Sequence, residues 1–145
     1  MMKISEYGVE FIKKHEGIRL LPYNDGGGYA TIGYGHLIGE DEGELHQGIS
    51  EAEADEMLKF DLHKAEAAVN NAVDVELDQM QFDALVSFAF NVGGDRFASS
   101  TLVKLLNKGM YEEVPKQLMR WTKSNGRELP GLVKRRRAEG AMFAS

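Results

Sequence analysis

The chain contains no cysteine. A disulfide framework and a thiolate metal site are therefore excluded, and folding does not depend on the redox state of the compartment. No run of about eighteen apolar residues occurs that could cross a bilayer as a helix, and there is no internal repeat or low-complexity linker. The opening MMKISEYGVEFIKKHEG lacks the continuous apolar core and small-residue cleavage site of a secretory signal. No nucleophile-elbow motif is present. The acidic segment GEDEGELHQG, residues 39–48, lacks the pattern that would wrap a hard cation in roughly six or more oxygens. With His46 in it, that segment reads as a solvated connector, and no metal is expected.

What is present is the composition of an ordinary globular protein, 43% hydrophobic and 28% charged over 145 residues. Such a chain can bury about two thirds of its unfolded surface in one body, with room for two lobes. The net charge of −6 hides an asymmetry: residues 1–100 hold 7 Lys and Arg against 19 Asp and Glu, whereas residues 101–145 hold 10 against 4. The densest basic run is Lys134-Arg135-Arg136-Arg137. It reads as a solvated face of the last helix, with steering toward an anionic cell envelope as a second reading. Nucleic acid is disfavoured, because the run is short, no nucleic-acid motif accompanies it and the isoelectric point is near 5.2.

Most of the chain carries helical punctuation. Ile4, Tyr7 or Gly8, Phe11 and Ile12 fit one stripe over Ser5–His15. Ser50 with Glu53 forms a capping box that opens a helix to about Asn71, and Asp78 with Gln81 opens an apolar one that Gly93-Gly94 ends. Shorter helices follow over Leu102–Asn107 and Tyr111–Thr122, and Pro130 opens the last, Gly131–Phe143. Only Arg19–Gly39 reads as strand. The expected class is α+β with helix dominant. It comprises a small lobe with an antiparallel sheet over about 14–50, a long interlobe helix over about 50–72, and a helical lobe made of 1–13 and about 73–145, all within one domain of residues 1–145.

The chemistry concentrates in HEGIRLLPYNDGGGYATIGYGH, where Glu16, Asp25 and Thr31 are separated by eight and then five residues. Cleaving a glycosidic bond needs two carboxyl groups in unlike surroundings, one that gives its proton to the leaving oxygen and one that stays ionised. Glu16 stands at the end of the first apolar stripe, where the negative pole of the helix favours holding a proton. Asp25 stands in the Asn24–Gly28 turn, whose backbone amides favour a carboxylate. Taken singly, each of the three also reads as an ordinary surface, turn or strand residue. His36, just after Gly33-Tyr34-Gly35, reads as a proton shuttle or, with a serine placed near it, as part of a Ser-His-Asp nucleophile system, for which the nucleophile elbow is missing.

The run EGIRLLPYNDGGGYATIGYGHLIG resembles the active-site segment of the phage-type lysozymes, the endolysin muramidases. ISEAEADEMLKFDL resembles the start of that family's interlobe helix, and QFDALVSFAFNVG its central buried helix. FASSTLVKLLN, Trp121 and LPGLVKRRRAEG resemble its C-terminal lobe, so the likeness spans nearly the whole chain. The resemblance implies hydrolysis of the β-1,4 bond between N-acetylmuramic acid and N-acetylglucosamine in bacterial peptidoglycan. Glu16 would be the general acid, with Asp25 and Thr31 holding the attacking water for inversion, and no cofactor. It implies substrate contacts at Leu37, Phe90 and Thr101 and a structural pair of His36 with Asp61. A further polar contact of the family falls near Pro115 or Lys116, where the correspondence is uncertain, and is not carried over. The resemblance also implies a monomer that waits in the host cytoplasm until a holin-type partner permeabilises the membrane. A lytic transglycosylase and a non-catalytic wall-binding module are the alternatives.

Overall fold

The computed structural model describes residues 1–24 and 30–145. Two compact units emerge, residues 9–63 and residues 1–8 together with 64–145. Their boundaries fall inside two helices, α1 (Glu6–Glu16) and α2 (Glu51–Ala72), rather than at helix ends.

In the unit of residues 9–63, α1 ends because Gly17 takes φ +71 and its N–H returns to the Lys13 carbonyl at 2.9 Å, the left-handed stop that glycine adopts without a Cβ penalty. The chain then forms a three-stranded antiparallel sheet of β1 (Arg19–Asn24), β2 (Ala30–Gly33) and β3 (His36–Leu37), with β2 in the middle. Thr31 faces Tyr23 on one side and Leu37 on the other, while Ile32 faces His36. Val9, Ile12, Ile32, Ala54, Leu58 and Leu62 are the buried apolar residues of this unit. The capping box at α2 is formed: Ser50 Oγ accepts from the Glu53 N–H at 3.1 Å, and Glu53 Oε1 accepts from the Ser50 N–H at 3.0 Å.

The other unit is built on α3 (Gln79–Val92), capped by Asp78 and Gln81 and buried without interruption from Phe82 to Ala89. It packs most extensively against α7 (Pro130–Ala144). Between them come α4 (Gly94–Ala98), α5 (Thr101–Asn107) and α6 (Val114–Leu118), then a hairpin of β4 (Lys123–Ser124) and β5 (Arg127–Glu128). Across α1 and α3, Asp83 accepts from the Ser5 N–H at 3.1 Å and from Gln79 Nε2 at 2.9 Å, and also bonds Ser5 Oγ.

Three expectations need correction. Gly94 opens α4 instead of continuing the stop at Gly93. The helix expected over Tyr111–Thr122 is a 3₁₀ turn at Tyr111–Glu113 followed by α6, which ends at Leu118 and gives way to the second hairpin. Asn125 and Gly126 turn that hairpin with φ of 51° and 76°, the positive values that Asn-Gly supplies most cheaply. Lys134–Arg137 is not one basic face. Four consecutive helical residues sweep most of the circumference, so Lys134 and Arg137 are exposed while Arg135 and Arg136 are buried. Glu139 receives both buried guanidinium groups: Arg135 Nε at 3.3 Å and Arg136 Nη1. Arg136 Nε also donates to the Trp121 carbonyl at 2.9 Å, and Ser87 Oγ to Glu139 Oε2 at 2.5 Å. Neither Arg135 nor Arg136 can serve as an envelope contact.

Candidate active site

The stop at Gly17 makes Glu16 the last helical residue, so its carboxyl projects from a rigid helix end. Lys13 holds that end in place through Asp55 of α2 at 3.0 Å and Glu10 at 3.2 Å, and its ammonium lies over the Tyr34 ring. Ile12 is fully buried beneath it. The Glu16 carboxyl faces the turn between β2 and β3: a Cβ added to Gly35 would stand 3.0 Å from Glu16 Oε1. Gly35, at φ +85, therefore supplies both the turn and the space for the acid.

Thr31 is buried at 3% exposure in the central strand of the same unit. Asp25 and the Asn24–Gly28 turn expected around it lie outside the described residues beyond Asn24. His36 Nδ1 is 2.7 Å from Asp61 Oδ2, which joins β3 to α2. Its Nε2 is 3.1 Å from Glu42 Oε1, and that same oxygen accepts from the Gly39 N–H at 2.9 Å. The segment 39–48 buries none of its residues, as a solvated connector should, and it is tied to the sheet by Glu42 and carries a 3₁₀ turn at Gly43–Gln47. Burial pulls the His36 pKa down, but the hydrogen bonds to Asp61 and Glu42 outweigh it, and the net shift is upward. The Gly39 amide and the His36 ring hold the Glu42 carboxyl below its ordinary value.

Leu37 is 55% exposed on β3 in this unit. Phe90, half-buried near the end of α3, and Thr101, exposed at the start of α5, belong to the other unit. Sequence reasoning missed Gly35 as the wall beside Glu16 and Glu42 as the second partner of His36. The Gly-x-Gly before the histidine was the available signal for the first. Among the described residues no group of three His, Asp or Glu is placed to hold a metal ion, and no helix is long and apolar enough to cross a membrane.

Chemically, this unit offers a carboxyl fixed at a helix terminus beside Gly35, which carries no side chain, and a buried hydroxyl on the central strand. Residues 13–139 match the family described as phage lysozyme. The chain is 41% identical over 148 residues to an endolysin of Acyrthosiphon pisum secondary endosymbiont phage 1, with 99% of each chain covered. Among solved structures it is similar to the muramidase domain of SpmX from Asticaccaulis excentricus, at a TM-score of 0.89 and 38% identity over 100% of this chain and 99% of that one. A phage P22 lysozyme matches at a TM-score of 0.85 and 38% identity, with 100% of both chains covered.

Proposed function

The chain belongs to the phage lysozyme family, and on that premise we propose that it is an endolysin that cuts the β-1,4 bond between N-acetylmuramic acid and N-acetylglucosamine in bacterial peptidoglycan. Glu16 acts as the general acid on the leaving oxygen. Asp25 and Thr31 hold and activate a water that attacks the anomeric carbon from the opposite face, with inversion. The observation that carries this assignment is the Glu16 carboxyl at the end of α1, set against Gly35 in the same compact unit as Thr31. The missing Cβ at Gly35 leaves room for the acid's carboxyl, while Lys13 and the buried Ile12 fix the helix that bears it.

Digestion of purified peptidoglycan by the wild type and by Glu16→Gln, with the fragments weighed, tests the proposal. Loss of a positioned proton donor should lower the rate by roughly 10² to 10⁴-fold, with the thermal midpoint little changed. Full activity in Glu16→Gln would overturn the role of Glu16. Products lighter by one water would replace hydrolysis by the transglycosylase reaction, and a first-formed product with retained anomeric configuration would replace the attacking water by a covalent intermediate.

Leu37, Phe90 and Thr101 serve as sugar contacts on this reading, and His36 with Asp61 braces β3 against α2. By the same kinship the protein works as a monomer and stays in the host cytoplasm until a holin-type partner opens the membrane. Release of the protein from intact cells that express it alone would refute that dependence.

A further inference from the structure

We propose that Asp55 and Tyr34 are positioning residues for the reaction, which act through the Lys13 ammonium to hold the Gly35 turn and the Glu16 carboxyl at their mutual distance. The inference rests on the reading of Glu16 as the general acid and adds two residues outside the reacting set. All of them belong to the compact unit of residues 9–63.

Lys13 precedes Glu16 by one helical turn, a spacing that puts both on one side of α1. Its main chain closes the helix, because the Lys13 carbonyl accepts from the Gly17 N–H at 2.9 Å. Its ammonium meets Asp55 Oδ1 of α2 at 3.0 Å and lies 5.7 Å from the centroid of the Tyr34 ring. Tyr34 and Gly35 make the turn between β2 and β3, and Gly35 is where the Glu16 carboxyl rests. The contacts therefore close a circuit, from Lys13 across Tyr34 to Gly35, on to Glu16 and back along α1. One ammonium sets the gap between the acid and the turn, and Asp55 sets the ammonium.

Glu10 pairs with the same ammonium at 3.2 Å, but it sits on α1 itself and its side chain is 68% exposed, so it cannot fix α1 against another element. Asp55 reaches in from α2 and Tyr34 from the sheet. Burial pulls the Lys13 pKa down, but the hydrogen bonds to Asp55 and Glu10 outweigh it and the net shift is upward. The charge that bridges the three elements is therefore permanent at any pH at which the protein is folded. With Asp55 still 39% exposed, the pair contributes little to stability. A misplacement of about 1 Å at a catalytic group, by contrast, can cost about 10²-fold in rate. The loss of the pair should thus be felt in turnover rather than in folding.

Steady-state hydrolysis of soluble glycan strands prepared from peptidoglycan tests the proposal. Asp55→Ala and Tyr34→Leu should each lower kcat about five- to twentyfold, with KM within about twofold of the wild type and the thermal midpoint little changed. Lys13→Met should show the same loss. Lys13→Arg should recover most of it, because a guanidinium pairs with a carboxylate and stacks on an aromatic face. Asp55→Ala added to Lys13→Met should cost nothing more, since both act through one contact. In the Glu16→Gln protein Asp55→Ala should leave the residual rate as it is, because no proton donor is left to place. If Asp55→Ala folds poorly, Asp55→Asn keeps the shape without the charge and should lower kcat in the same direction.

Wild-type kcat in Asp55→Ala, a loss that multiplies with that of Lys13→Met, or a further fall of the residual rate in the Glu16→Gln background would overturn the proposal. Those outcomes beside an inactive Glu16→Gln remove only the positioning role and leave the acid assignment standing. Full activity in Glu16→Gln removes the acid assignment itself, whatever Asp55→Ala does.

Discussion

Two clusters of oppositely charged side chains, His36 with Asp61 and Glu42 in one compact unit and Arg135 and Arg136 with Glu139 in the other, live in different media. In residues 9–63, His36, Asp61 and Glu42 keep 16, 25 and 36% of their side-chain surface in water. In the helical unit, the side chains of Arg136 and Glu139 expose nothing and that of Arg135 only 5%. The same kind of pairing is weakened by solvent in the first case and strengthened in the second, where every charge must stay matched because its desolvation is no longer offset by water. The exposed cluster can gain or lose a proton and remain folded. The buried one works as a fixed part of the core.

The sharpest way to break that comparison is Glu139→Gln. It leaves two guanidinium groups buried without their carboxylate and should destabilise the protein by about 3–5 kcal/mol in urea unfolding. Replacing the cluster as a whole, with Arg135→Met, Arg136→Met and Glu139→Leu together, should recover a large part of the loss. A loss below about 1 kcal/mol in Glu139→Gln would show that water reaches the cluster and that the contrast between the units is false.

Two glycines extend the comparison. A Cβ at Gly8, in the helical unit, would stand 2.6 Å from Ile4 Cγ1 and 2.7 Å from Asp83 Cγ. Gly8→Ala therefore overpacks the joint between α1 and α3 and should destabilise by about 1–3 kcal/mol with little effect on turnover per folded molecule. At Gly35, in the other unit, the obstacle is the far end of the flexible Glu16 side chain at 3.0 Å, and φ is +85. Gly35→Ala should cost about 1–2 kcal/mol of backbone strain and, by displacing the acid, should lower kcat more than stability predicts. Equal kcat per folded molecule in the two variants would remove Gly35 from the positioning of Glu16.

The exposed cluster should titrate. The His36 pKa is raised in the folded protein, so its contribution is complete below the ordinary imidazole value of about 6.5 and is lost as pH rises through the folded value. The Glu42 pKa is lowered, so its contribution is present above the ordinary carboxyl value and is lost as pH falls through the folded one. His36→Asn should therefore cost most between about pH 4.5 and 6.5, roughly 1–2 kcal/mol, and least near pH 9. Equal destabilisation at about pH 5.5 and pH 9 would dissolve the cluster as a charged unit.

What could be read from the sequence follows the same divide between local and distant causes. The capping boxes at Ser50 and Asp78, the helix stop at Gly17 and the unbroken apolar run of α3 are local signals, and each marks its element. Pro130 opens α7 as its fixed φ demands. The hairpin at Asn125-Gly126 also has a local signal, but the sequence reads as helix through Trp121 and Thr122, whereas α6 starts at Val114-Pro115 and ends at Leu118. The burial of Arg135 and Arg136 had none, since a run of four cations reads as surface unless Glu139 and Ser87 are known to wait behind it. Glu42 reaching His36 was equally invisible, because only the fold brings the start of the 39–48 segment back to β3.

The smallest effect gives the finest test of whether the units differ in stability as well as in medium. Six of the buried apolar residues lie in residues 9–63 and sixteen in the helical unit, so the smaller unit should open at lower free energy. Ser50→Ala deletes the hydroxyl that caps the Glu53 amide in the smaller unit, and Asp78→Ala deletes the matching acceptor for Gln81 in the larger. Each should cost about 0.5–1 kcal/mol. In amide hydrogen exchange Ser50→Ala should speed the amides at the start of α2 and in β2 while those of Phe82–Phe88 stay slow. Asp78→Ala lowers the stability of the unit that opens last and should speed the α3 amides. If both variants accelerate both regions alike, the two units open together, and the contrast between them is one of electrostatics alone.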